Sequence, residues 1–155
     1  MRIIICDIDK KYLKLQKDDL VYNNITNYCR GCFSCWLKTP LKCIYNDALK
    51  SLGENMCSCD ELIIISKGKY GCYSPLVKGI LERSISYVKP YFILRNKEIH
   101  HEARTSKKIK FKVIFYEYEN VETLTKLVNR NSINYNTLKP DIYFIDNLNG
   151  IGDLI

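Results

Sequence analysis

The sequence predicts an α/β protein: a three-layer sandwich in which helices cover both faces of a five-stranded parallel sheet. Three observations carry this expectation. The clearest apolar runs, Ile3-Ile4-Ile5-Cys6 and Leu62-Ile63-Ile64-Ile65, are continuous rather than alternating, as in strands covered on both faces. Helical patterns separate successive strand-like runs. The 155 residues suffice for one domain, residues 1–155, with a real core.

The elements follow in order. Ile3 to Cys6 is the first strand, and Leu20-Val21-Tyr22 begins a weaker second one. Only 13 residues, 7–19, part them. A parallel crossover needs about a dozen or more, so the first helix must be short, distorted or missing. After a cysteine-rich stretch, Asp47 is placed to cap a helix on which Leu49, Leu52 and Met56 recur at three- and four-residue steps. That helix is expected to end near Cys57. Glu61 introduces the strand Leu62 to Ile65, and residues 66–73 read as a loop. Ser74-Pro75 then opens a helix with a capping hydroxyl and a proline whose missing N–H costs nothing at the first position. Leu76, Val77, Ile80, Leu81, Ile85 and Val88 give it a broad apolar stripe for the sheet. Lys89-Pro90-Tyr91 breaks it, and the polar segment up to Lys108 reads as the longest irregular piece. Phe111, Val113, Ile114 and Phe115 mark a strand over 110–116; Val121, Leu124, Leu127 and Val128 mark a helix; residues 141–145 form the last strand. Right-handed crossovers leave few topologies for such a series. The flavodoxin type, strand order 2-1-3-4-5, fits it. Ligands in such folds sit at the carboxyl ends of the strands, near the switch in strand order. That rim is expected to gather the loop after Cys6, the cysteine stretch, the loop at 66–73 and the loop after Tyr116.

Composition narrows the function. No apolar run approaches the length of a membrane span and Met1 opens no signal-peptide layout, so a cytoplasmic, membrane-free protein is expected. In that reducing compartment the eight cysteines are better explained by ligation, redox chemistry or burial than by disulfides. The net charge of +7 is spread over scattered lysines, with no basic helix or aromatic-basic array, so no nucleic-acid partner is expected. A Ser-His-Asp order, a Walker pattern and a His-Glu-x-x-His motif are all missing, which removes the common hydrolase classes.

The richest stretch is Cys29-Arg30-Gly31-Cys32-Phe33-Ser34-Cys35-Trp36, followed by Cys43, with four of the eight cysteines within fifteen positions. Two successive Cys-x-x-Cys steps let neighbouring thiolates face one point, and Cys43 can close the shell, as iron-sulfur clusters and structural zinc require. A redox thiol pair and a set of packed reduced thiols remain equal claimants on spacing alone. Cys57 and Cys59 read as packing residues, as does Cys72, and Trp36 as a shield over the loop. His100 and His101 are candidate proton donors or ligands by residue type, but they fall in a polar loop.

Cys29-x-Gly31-Cys32-Phe33-x-Cys35-Trp36, Thr39-Pro40 and Cys43-Ile44 resemble the NAD(P)H-dependent FMN reductases of flavodoxin-like fold, especially their iron-sulfur flavoprotein branch. Tyr70-Gly71 with Ser74-Pro75-Leu76-x-Lys78 resembles that family's flavin-ring loop and next helix, and Arg83-Ser84-Ile85 and Glu98-Ile99-His100-His101 its downstream motifs. The resemblance covers about residues 29–101. It implies FMN at the rim, held by Ser66, Lys67, Gly68, Lys69, Tyr70 and Gly71; a cluster on Cys29, Cys32, Cys35 and Cys43; and electrons from NAD(P)H or a redox partner. It also implies a homodimer, or pairing with a flavodoxin-like relative, and assigns no catalytic side chain. The chain departs from the family after its first strand, where Asp7-Ile8-Asp9-Lys10-Lys11 replaces a glycine- and serine-rich phosphate loop. Two functions follow. One is an FMN-dependent NAD(P)H oxidoreductase or electron-transfer flavoprotein with a possible iron-sulfur cluster. The other is a degenerate flavodoxin-like module without FMN, a metal-holding or partner-binding subunit.

Overall fold

A computed structural model describes residues 1–95 and 97–155. Its centre is a parallel sheet in which β1 (Arg2–Cys6), β2 (Leu20–Tyr22), β3 (Glu61–Lys69), β7 (Lys110–Tyr116) and β8 (Asp141–Ile145) lie in the order β2-β1-β3-β7-β8. The continuous isoleucine runs are explained by this position. Ile3 and Ile5 of β1 and Leu62 and Ile64 of β3 face one layer; Ile4, Cys6, Ile63 and Ile65 face the other, and all are sealed from solvent. Period-two alternation turns one apolar run into two buried faces.

The layers differ in thickness. On the first face α2 (Leu52–Ser58), α3 (Pro75–Arg83) and α4 (Val121–Asn134) bring Leu52, Met56, Val77, Ile80, Leu124 and Val128 against the sheet. The second face carries a single 3-10 turn, Lys10–Tyr12, capped by Asp9 through the Lys11 amide, and the four-residue α5 (Ile151–Leu154). Ile8, Tyr12, Leu13, Leu148 and Ile151 are enough to close it. The crossover from β1 to β2 is therefore the shortened one that its 13 residues require.

Three expectations change. Residues 66–73 are not a loop: β3 runs on through Lys69, turns at Tyr70-Gly71 and returns as β4 (Cys72–Tyr73), an antiparallel addition to the sheet. Residues 88–95 and 98–103 are not irregular: β5 (Val88–Arg95) and β6 (Glu98–Ala103) pair as an antiparallel arm that leaves Tyr91, Phe92, Leu94 and Ile99 exposed, while Asn96 of that expected irregular piece lies outside the described residues. Asp47 caps a turn, through the Leu49 amide, rather than the helix, which starts five residues later at Leu52. α3 does begin at Ser74, whose hydroxyl accepts from the Val77 amide. No helix among the described residues is long and apolar enough to cross a membrane.

Candidate functional site

After β2 the chain runs along α3. The Tyr28 ring lies so close to Gly79 that a Cβ there would come within 2.6 Å of it, and the Asn27 carbonyl accepts from the Arg83 guanidinium. The cysteine stretch starts at that point. Gly31 and Phe33 both take left-handed backbone, φ 67° and 52°, which curls the chain tightly before the single turn α1 (Ser34–Leu37). The Leu41 amide then bonds the Cys35 carbonyl at 3.0 Å, and the Cys43 amide bonds the Lys50 carbonyl at 2.8 Å, folding Cys43 back over the first three cysteines. Cys29, Cys32, Cys35 and Cys43 all line one small cavity of about 30 Å³ that is partly open to solvent. The structure thus brings together the four cysteines singled out by their spacing.

Their electrostatics differ with position. The exposed Cys32 thiol is lowered to about 7, first by the Ser34 amide and hydroxyl and then by Arg30. Half-buried Cys35 is raised, chiefly by burial and then by its neighbours Cys43, Cys29 and Cys32. Clustered thiols that repel one another when ionised are relieved by a bound cation, which also displaces their protons. Among the described residues no three His, Cys, Asp or Glu side chains close on a single-ion position. Zn–S bonds of about 2.3 Å would draw tetrahedral sulfurs to within roughly 4 Å of each other. A cluster spreads its irons over a core of its own and takes four thiolates from further apart.

Sequence reasoning missed the wall of this cavity. Arg83, at the last turn of α3, has a side chain with no exposed surface. It holds Asp47 with two bonds of 2.8 and 2.9 Å, lies 5.2 Å from the Tyr45 ring centre, and lines the cysteine cavity. The guanidinium pulls the Asp47 carboxyl down to about 2. Only the family-like motif Arg83-Ser84-Ile85 pointed to Arg83, and nothing in the sequence marked Asp47 as its partner. On the other side Trp36 donates to the Val88 carbonyl at 2.9 Å and packs against Phe33 and His101, tying the loop to the β5–β6 arm. His100, on the same arm, meets the Asn134 side chain at 3.0 Å.

The proposed flavin residues sit elsewhere and are otherwise engaged. Gly68 and Lys69 pair with Tyr73 and Cys72, and Tyr70 and Gly71 form the turn. The Ser66 hydroxyl accepts from the Ser74 amide and donates to the Lys67 carbonyl. Lys67 and Lys69 are ion-paired with Glu117 at 2.6 Å and Glu119 at 3.0 Å. Where a phosphate would dock after β1, Asp7 accepts from the Lys67 amide at 3.1 Å and the Tyr116 hydroxyl at 3.0 Å. Asp7 thus sets a carboxylate against the Lys67 amide at this rim, and Lys67 and Lys69 are each paired with a glutamate.

The two regions are also apart. α3 leaves the carboxyl end of β3 and returns along the sheet, so Arg83 and the cysteines lie a helix length, about 13 Å for nine residues, from the rim at Asp7, Lys67 and Tyr116. The expectation that the cysteine stretch joins that rim is corrected: its position is fixed by the far end of α3, not by the strand it follows. The other cysteines are packing groups. Cys6 and Cys59 are buried, which pushes both thiols up to about 11. No family model matches the sequence, and no curated protein matches it significantly.

Proposed function

We propose that the chain is a flavodoxin-like module, of strand order 2-1-3-4-5, that has relinquished its flavin site and holds an iron-sulfur cluster on Cys29, Cys32, Cys35 and Cys43. The observation that carries the reading is one cavity lined by all four thiols, with a buried guanidinium in its wall. Bound there, a cluster would supply one-electron transfer. The chain's own part is to position and to shield. Gly31 and Phe33 bend the backbone with left-handed φ, and Trp36 ties the loop to the Val88 carbonyl. A redox partner would exchange electrons at the exposed Cys29 and Cys32. The flavin-dependent alternative draws no support from the rim, where Asp7 stands in the phosphate's place.

Anaerobic purification with iron, acid-labile sulfide, zinc and flavin assays tests this. Iron and sulfide are expected together with a broad visible band, without flavin, and Cys32→Ala should lose the iron. Stoichiometric flavin, or iron unchanged in Cys32→Ala, would overturn the proposal.

A further inference from the structure

Arg83 is built unlike a structural arginine. Its side chain is enclosed, yet its Nε finds no hydrogen-bond acceptor among the described residues. The outer nitrogens are taken by Asp47 and the Asn27 carbonyl, and the guanidinium carbon sits against the Tyr45 ring. An enclosed cation with a spare donor is costly unless something anionic faces it. Its open side is the cysteine cavity, with Cys43 among the groups that stabilise its charge. Arg30, exposed at the cavity mouth, is the other cation there.

Building on the cluster reading above, we infer that Arg83 sets the charge of the cysteine cavity, favouring the more negative, reduced state of a thiolate-ligated centre, with Asp47 as the brake that moderates it. The residue is a positioning and tuning group; it neither ligates nor exchanges electrons. A one-electron reduction adds a negative charge to the cavity, which a buried cation stabilises and a nearby carboxylate opposes. The two residues are bonded to each other, so as structural props their loss would act in the same direction. As electrostatic groups they act in opposite directions.

The test is a dye-mediated potential titration of the protein reconstituted with ferrous iron and sulfide, followed by its visible spectrum, in wild type, Arg83→Gln, Arg83→Lys and Asp47→Asn. Arg83→Gln should lower the midpoint potential by roughly 59 mV or more, a tenfold change in the ratio of reduced to oxidised protein for one electron. Asp47→Asn should raise it, and Arg83→Lys should stay near wild type. An unchanged potential in Arg83→Gln, or shifts of the same sign in Arg83→Gln and Asp47→Asn, would overturn the inference. Should Arg83→Gln not fold, Asp47→Asn decides alone, and a lowered or unchanged potential in it refutes the tuning role. Wild-type protein that takes up no iron fails the cluster reading itself; iron-loaded protein indifferent to both substitutions fails only the role given to Arg83.

Discussion

Asp47 does three things with one carboxylate: it holds both outer nitrogens of Arg83, accepts from the Asn27 amide, and caps the Leu49 turn. Arg83 is the main reason that its pKa falls to about 2. A depressed carboxyl stabilises the fold above its unfolded value near 4, and that contribution disappears as the pH drops through the folded value. Denaturant unfolding of the metal-free protein should therefore lose stability more steeply between about pH 4 and pH 2 in wild type than in Asp47→Asn. Equal acid slopes would show that the pair adds nothing to folding. Arg83 itself was visible only in the family-like motif Arg83-Ser84-Ile85, and its burial was not visible at all. A guanidinium enters the interior only because a carboxylate 36 positions earlier meets it, and such long-range pairs leave no local pattern.

The elements that the sequence misplaced were hidden for different physical reasons. The stretch Ser66-Lys67-Gly68-Lys69 alternates in burial, but its buried positions are serine and glycine rather than apolar residues: its lysines reach Glu117 and Glu119 and its glycine makes room for Leu124 and Tyr118. Its turn is a two-residue one with left-handed backbone at both Tyr70 and Gly71, φ 53° and 69°, yet it carries tyrosine where asparagine or aspartate would signal a hairpin. That suggests two substitutions. Tyr70 is 96% exposed and strained, so Tyr70→Asn should raise stability by about 0.5–1 kcal/mol. Gly71→Ala should lower it by about 1–3 kcal/mol, since the added Cβ keeps the strained φ and meets the Thr123 methyl at 2.8 Å. Thermal or denaturant melts of both variants check the pair, and a neutral Gly71→Ala would refute the turn. In the β5–β6 arm, Tyr91 to Leu94 is apolar, but its partner offers one large aliphatic residue, Ile99, among Glu98, His100, His101 and Glu102. A strand held by pairing rather than by burial escapes detection from periodicity.

At the scale of the molecule, the sheet was legible because burial on both faces forces long isoleucine runs, which few other settings produce. The lean second face was legible too, since 13 residues leave no room for a full crossover helix. The position of the cysteine cavity was not. The chain from Asn23 to Ser51 lies between β2 and α2 with only one helical turn of its own, so nothing local sets where it folds back. α3 carries the decision: Gly79 admits Tyr28, Arg83 binds Asn27, and the four cysteines line a cavity at the helix's far end, a helix length from Asp7 at the strand rim. The chain thus has a cysteine-lined cavity and a carboxylate held at the strand rim at opposite ends of a single helix. X-ray absorption at the iron edge of the anaerobically purified protein tests this account most directly. A first shell of sulfur alone with iron neighbours beyond it is the result predicted; a nitrogen or oxygen shell, or iron present only at trace level, would contradict it.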